Sequence, residues 1–223
     1  MSVGFLGCMD KNPPLKVIFF DMDGVLILSE NQHFHAWQVL LTSLQLPIDW
    51  MDFKHWIGVS DKVIAKEIID RFALPTSVDA LYHQKKSCFI NLIQHGFIKH
   101  DGRDEFLAHA HARFRLAIVS SASQIEIQKV LDIENIGHYF EFCIGNEDVE
   151  SHKPHPAPYL QALQHAKIKP NEALIIEDSH AGISAALSAQ IPVIGLRTQA
   201  VIPDNIHNQV RFFENFHEIK NWI

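Results

Sequence analysis

Clustered positive charge is missing from this chain of 223 residues, which has a formal net charge of -7. Binding to a nucleic-acid backbone requires grouped lysine and arginine, so the composition argues against nucleic acid as a main partner. Cysteine is scarce, and the three cysteines form no CxxC pair, which leaves a disulfide framework and a zinc ribbon without support. Long uncharged apolar runs are also missing, so we expect a soluble cytoplasmic protein with no membrane partner.

The most informative segment is KVIFFDMDGV, residues 16–25. An apolar run of strand length ends at Asp21 and Asp23, and Gly24 follows at once. In open α/β sheets, chemistry takes place just beyond the carboxyl ends of such strands. Two neighbouring carboxylates repel each other unless a cation or a reaction requires them. The alternative is a surface turn, because Asp and Gly are common turn residues.

From about residue 101, strand-like and helix-like patterns alternate along the chain. We predict strands at 115–119, 142–144, 173–176 and 192–196, the last clear one, and helices at 104–111, 124–131, 156–166 and 183–189. Such alternation requires crossover connections and predicts an α/β fold, a Rossmann-like doubly wound parallel sheet.

Residues 30–99 have no strand pattern and are predicted to form an all-helical cap. An apolar stripe at helical spacing runs from His33 to Leu44, Ser60 stands where it would cap the next helix, and 81–98 reads as a further helix. Three tryptophans are expected in the cap core: Trp37, Trp50 and Trp56. The cap would interrupt a catalytic core of 15–29 and 100–223, which follows a loose N-terminal extension, 1–14.

Other predicted strands also end in residues suited to chemistry. Ser120 and Ser121 follow one strand, Glu177 and Asp178 follow another, and Lys153 lies in a loop between them. Because parallel strands end at the same edge of a sheet, these residues can converge with the first strand. Ordinary alternatives are helix capping by Ser120 or by the acidic pair, and a solvated lysine.

The convergence indicates phosphoryl transfer. Asp21 would attack phosphorus and form an aspartyl phosphate, and Asp23 would protonate the leaving oxygen and later deprotonate water, which asks for a raised pKa. The groups expected to bind phosphate oxygens are Ser120, Ser121 and Lys153. Mg²⁺ prefers oxygen ligands, and the candidate ligands are Asp21, Asp23, Glu177 and Asp178, with Glu177 either a ligand or a support.

The motifs DMDGV, IVSS, HKP and IIEDSHAG resemble those of the phosphatase branch of the haloacid dehalogenase superfamily, over about 16–198. Within it, the chain is similar to the beta-phosphoglucomutase and phosphoglycolate phosphatase group. The resemblance implies a Rossmann-like core with a mobile cap. It adds cap candidates for substrate recognition: His33 near the hinge, unless it is a surface histidine, and Gly58 and Ser60 in a specificity loop.

Three departures from the group refine this interpretation. Asp61 stands where the sugar mutases carry an arginine for a second phosphate, and Leu28 replaces an acid. Both favour a phosphatase acting on a small phosphorylated metabolite over a phosphomutase. Gln190 replaces a glycine common at a helix end, so strain is expected there. A binding protein without turnover is the remaining alternative, and the sequence predicts no oligomeric state.

Overall fold

The computed structural model describes residues 14–46, 49, 53–56, 59–93, 96–198 and 200–223. Within these residues, parallel strands form a six-stranded sheet in the order β3-β2-β1-β4-β5-β6. The strands are β1 Val17–Phe20, β2 Arg115–Val119, β3 Phe142–Ile144, β4 Ala173–Glu177, β5 Val193–Leu196 and β6 Arg211–Phe213. The predicted doubly wound α/β fold is therefore confirmed.

The first strand occupies the middle of the sheet. Phe20 is paired with Ile118 of β2 on one side and with Ile176 of β4 on the other. The chain proceeds from β1 outward to β3, then returns to β4 and proceeds outward to β6 on the opposite side. The strand order thus reverses between β1 and β4, and in such sheets the functional crevice lies at the carboxyl ends of the strands at this point.

Helices cover both faces of the sheet, and three further helices precede them in the chain. The α-helices of the described residues are α1 Glu30–Ser43, α2 Asp61–Phe72, α3 Val78–Leu92, α4 Arg103–His111, α5 Gln124–Glu134, α6 Ala157–Ala166, α7 His180–Ser188, α8 Asp204–His207 and α9 Phe216–Trp222. Alternate residues of β1 point to opposite faces. Phe20 packs in one apolar cluster with α4, α5 and α9, whereas Phe19 packs in another with α6 and α7.

The helices α1 to α3 pack around an apolar cluster of their own. Trp37 and Trp56 are buried in it, as predicted, together with Phe53 and Ile64. The two connections between these helices and the sheet are joined to each other, because the amide of Leu28 donates to the carbonyl oxygen of Ile98 at 2.8 Å. Two predictions made for the cap, Trp50 and Gly58, lie outside the described residues, as does the N-terminal extension up to residue 13.

Several element predictions need correction. The helix predicted at 81–98 is α3, which begins at Val78 and ends at Leu92. The elements α8, β6 and α9 were not predicted, because β6 is a three-residue edge strand with an exposed arginine and its flanking helices are short. Among the described residues, no helix has the length and apolar character needed to cross a membrane.

Gln190 has a positive φ of 59°, the left-handed conformation that favours glycine, two residues after the end of α7. We expect Gln190→Gly to raise the free energy of unfolding by about 0.5 to 1 kcal/mol, because glycine removes the steric penalty of a Cβ atom there. Gln128→Gly is the matched control: Gln128 is also exposed but lies inside α5, so that substitution should lower stability by about 1 kcal/mol. Urea unfolding measures both, and a loss of stability in Gln190→Gly would contradict the assignment of strain.

Candidate active site

The ammonium group of Lys153 lies between carboxylates from two neighbouring strands. Its Nζ donates to Oδ1 of Asp21 at 2.6 Å, to Oε1 of Glu177 at 2.7 Å and to the carbonyl oxygen of Val119 at 2.8 Å. The residue is 3% exposed. The three acceptors lie at the ends of β1, β4 and β2, so Lys153 connects the carboxyl ends of the three central strands.

Both carboxylate oxygens of Glu177 accept hydrogen bonds. Its Oε1 also accepts from the hydroxyl of Tyr159 at 3.0 Å. Its Oε2 accepts from the backbone amides of Asp178 and Ser179 and from the Ser179 hydroxyl, at 3.0 to 3.1 Å. A carboxylate held by five donors is fixed in place, and it orients Lys153.

Asp178 offers an oxygen that is free of such bonds. Its Oδ2 accepts from the hydroxyl of Thr198 at 2.9 Å, whereas its buried Oδ1 has no hydrogen-bond partner among the described residues. Carboxylate oxygens of Asp21, Glu177 and Asp178 lie within 4.8 Å of one another. An all-oxygen donor set with one unpartnered buried oxygen fits a hard divalent cation such as Mg²⁺.

Two glycines make room for these carboxylates. A Cβ atom on Gly24, whose φ is +83°, would lie 2.0 Å from Oδ2 of Asp178. A Cβ atom on Gly182, in the first turn of α7, would lie 1.6 Å from Oε1 of Glu177. Both distances are far inside van der Waals contact, so the acids occupy space that a side chain would fill.

The close approach of the acids changes their proton affinities. Burial raises the pKa of Asp21 to about 8, with Lys153 opposing the rise and Glu177 adding to it. Burial, followed by the charge of Glu177, raises the pKa of Asp178 well above its usual range. Burial alone would lower the pKa of Lys153, but Asp21 and Glu177 outweigh it and raise that pKa. A divalent cation would favour the ionised form of both aspartates.

Asp23 differs from these acids. Its carboxylate accepts hydrogen bonds from the hydroxyl of Ser29 and from Nε2 of His33, the latter at 3.1 Å. Burial acts to raise the pKa of Asp23, but His33 and Ser29 outweigh it and hold the pKa below its usual range. The raised pKa expected from the sequence is therefore wrong for this arrangement, because the donors around Asp23 stabilise its ionised form.

His33 joins Asp23 to a buried ion pair of the cap. Nζ of Lys85 lies 2.6 Å from Nδ1 of His33 and 2.5 Å from Oδ2 of Asp61, whose other oxygen accepts from the indole of Trp37. A lysine ammonium can only donate, so Nδ1 of His33 accepts a hydrogen bond from Lys85. Nε2 of His33 then carries a hydrogen and donates a hydrogen bond to Asp23. His33 is thus turned toward the site and is not a surface histidine.

The remaining predicted residues lie around this centre. Ser120 is buried one residue beyond Val119, and its hydroxyl accepts from the amide of Ala122 at 3.0 Å. Ser121 is partly exposed. Ser60 occupies the residue before α2, but its side chain makes no capping hydrogen bond, so the predicted cap is wrong.

Glu30 was not predicted as part of the site. Its Oε1 is buried without a hydrogen-bond partner among the described residues, and burial raises its pKa. Its charge also raises the pKa of Asp178, which places it beside the acidic cluster. An acid in the first turn of a helix is common because the helix dipole stabilises it, so its position alone did not mark it as a site residue.

Comparison with known proteins identifies the family to which this chain is similar. The family model of haloacid dehalogenase-like hydrolases matches residues 18–196. A phosphoglycolate phosphatase of Colwellia psychrerythraea is 30% identical over 194 residues, 81% of this chain and 84% of that protein. A phosphorylated carbohydrates phosphatase of Thermotoga maritima is 26% identical over 79% of this chain and 82% of that protein.

The fold is also shared with solved structures. A crystal structure of beta-phosphoglucomutase from Clostridium difficile has a TM-score of 0.81 at 20% identity, over 92% of this chain and 93% of that chain. At this identity the likeness concerns the fold.

Lys153 balances the charge of the buried acids, so Lys153→Met should lower the free energy of unfolding by about 3 to 5 kcal/mol, as removal of one partner from a buried ion pair does. Lys86→Met is the matched control, because Lys86 is also buried but forms no ion pair with a carboxylate among the described residues. It should change stability far less. Urea unfolding in the presence of a chelator measures both, and equal effects would contradict the central role of Lys153.

Proposed function

Because the chain belongs to the haloacid dehalogenase-like hydrolase family, we propose that it is a Mg²⁺-dependent phosphatase that hydrolyses a small phosphorylated metabolite. The observation that carries the proposal is the meeting of Asp21, Lys153 and Asp178 at one point, although they come from three separate parts of the chain. Phosphoryl transfer needs a nucleophile, a compensating positive charge and a metal site within such a distance.

In the proposed first step, a carboxylate oxygen of Asp21 attacks phosphorus. The bond to the leaving oxygen breaks as an aspartyl phosphate forms, and Asp23 gives its proton to the leaving alcohol. In the second step Asp23 takes a proton from water, which attacks phosphorus and releases inorganic phosphate from Asp21. Lys153, whose ammonium lies 2.6 Å from Oδ1 of Asp21, offsets the negative charge on the phosphoryl oxygens.

The lowered pKa of Asp23 suits the second step, in which it acts as a base. The first step requires a proton on the same carboxylate. An approaching phosphate dianion places negative charge near Asp23, and negative charge raises the pKa of a neighbouring acid. Substrate binding would therefore favour protonation of Asp23 from solvent before the leaving group departs.

For the metal, we propose Asp21 and Asp178 as the side-chain ligands. Bound Mg²⁺ would neutralise charge on the phosphoryl oxygens. Glu177 would instead support the site, since both its oxygens are already hydrogen-bonded. Asp23 is bound to Ser29 and His33, and its carboxylate is not part of the acidic cluster, so we do not propose it as a side-chain ligand.

The substrate would bind between the sheet and the cap, with Ser120 and Ser121 contacting phosphate and the cap, 30–99, acting as a lid. The unpartnered oxygen of Glu30 can accept a hydrogen bond from a substrate hydroxyl. Asp61 already pairs with Lys85, so this cation is not available for a second phosphate. That pairing favours a monophosphate substrate, and hence a phosphatase over a phosphomutase. The free thiols of Cys88 and Cys143 suit the reducing cytoplasm, where we place the enzyme.

Asp21→Asn should lower the rate of phosphate release by at least about 10³-fold without unfolding the protein, because it removes the nucleophile and keeps the shape of the side chain. Release is measured on a panel of phosphate monoesters with Mg²⁺, and folding by circular dichroism. Asp70→Asn, on the exposed face of α2, is the control and should retain full activity.

The same assay separates the alternatives. A hexose phosphate incubated with its bisphosphate should yield inorganic phosphate, whereas an isomerised sugar phosphate would identify a mutase. No turnover by the wild type on the whole panel would instead support a binding protein on the same fold.

Mg²⁺ should raise the melting temperature of the wild type, because a ligand that binds only the folded state stabilises it by about 3 kcal/mol at 100 times its dissociation constant. Asp178→Asn should largely abolish this shift, since it removes an oxygen ligand. Asp132→Asn, on the exposed surface of α5, should keep it. An equal Mg²⁺ shift in Asp178→Asn would rule out Asp178 as a ligand.

A further inference from the structure

Ser60 stands at the beginning of a helix but does not cap it. With φ of -59° and ψ of 134° its backbone has the extended conformation usual for such a residue, yet its hydroxyl makes no bond to the helix. The hydroxyl instead accepts a hydrogen bond at 2.8 Å from Nδ2 of Asn146, a residue of the sheet domain 86 positions away. Both side chains are buried. The cap loop thus uses this hydroxyl to contact the catalytic core.

Asn146 is bound at the same time to the loop that follows β2. Its backbone amide donates to the carbonyl oxygen of Ala122 at 2.8 Å, and its Nδ2 donates to the carbonyl oxygen of Ser121 at 3.3 Å. One side-chain amide group therefore donates both to the cap, at Ser60, and to the proposed phosphate-binding loop, at Ser121.

A second contact joins the cap to the same loop. The side chain of Tyr82, on α3, lies next to the side chain of Ser123. Ser123 begins α5 and is fixed by a reciprocal capping box with Glu126. The cap thus contacts the far end of the loop at a rigid point, while Asn146 contacts its middle. Residues 120–123 are held from both the cap and the core.

We propose that Asn146 is a positioning residue that couples closure of the cap to the geometry of the phosphate-binding loop. When the cap is closed, Ser60 fixes the amide of Asn146, which in turn fixes the backbone at Ser121. When the cap opens, Asn146 loses its partner in the cap and the loop is less restrained. This role rests on the proposed phosphatase function for its effect on catalysis, but the coupling itself is a property of the fold.

The competing explanation is a packing contact with no effect on the loop. Ser77 offers a matched control, because it is also a serine before a cap helix, but its hydroxyl accepts from the amide of Ala80 within that helix. Ser77→Ala should lower the melting temperature and leave kcat/KM within about twofold, since only helix capping is lost.

Ser60→Ala and Asn146→Ala should each lower kcat/KM about tenfold, as loss of a buried hydrogen bond does, on the phosphate monoester that the wild type hydrolyses fastest. The loss should fall mainly in kcat, because the loop is fixed only after closure. The double variant should be no worse than Asn146→Ala alone, since that substitution already removes the hydrogen bond to Ser60. Additive losses, or unchanged kinetics in Ser60→Ala, would overturn the proposal.

Hydrogen exchange gives a readout that does not depend on turnover. In the full-length protein, Ser60→Ala should speed amide exchange at residues 120–123 about tenfold, although the substitution lies in the cap, and Ser77→Ala should not. If the wild type releases no phosphate but Ser60→Ala still exchanges faster at residues 120–123, the coupling is supported and only the proposed function fails. Unchanged exchange at 120–123 in Ser60→Ala would overturn the coupling, whatever the activity. If Asn146→Ala does not fold, Ser60→Ala alone decides.

Discussion

The repulsion among buried acids, and its compensation by one lysine, is the constraint on which the rest of this structure depends. Asp21, Glu177 and Asp178 lie too close together to be stable as three isolated charges. Lys153 donates to two of them and to the end of β2. This arrangement holds Asp21, the proposed nucleophile, in place and also leaves an oxygen of Asp178 without a hydrogen-bond partner among the described residues.

The sheet makes this arrangement possible. The strand order places β1 between β2 and β4, so residues more than a hundred positions apart in sequence meet at one edge. The buried strands supply a rigid base, and the glycines and helix starts that follow them bring backbone close to the acids. The helical segment before β2 contacts this edge of the sheet through His33 on Asp23 and through Ser60 on Asn146, among other residues.

The core of the fold could be predicted because its strands are continuous apolar runs that end in chemically distinctive residues. The edge strand β6 could not, because a short, half-exposed strand has no such pattern. For the candidate site, residue types predicted that acids from β1 and β4 would meet at one edge of the sheet, but not the protonation of the acids. The pKa of Asp23 depends on Ser29 and His33, whose contacts arise from tertiary packing. Likewise, the sequence predicts that the Ser60 hydroxyl caps the next helix, but in the structure this hydroxyl accepts a hydrogen bond from the distant Asn146.

Gly24 and Gly182 have a consequence for how this chain can change over evolution. Even one methyl group at either position would overlap a carboxylate of the proposed active centre. We therefore expect the two positions to tolerate substitution as poorly as the acids beside them, although neither glycine has a functional group. Substitution of Gly24 or Gly182 is limited because no free volume exists for a side chain beside the carboxylates.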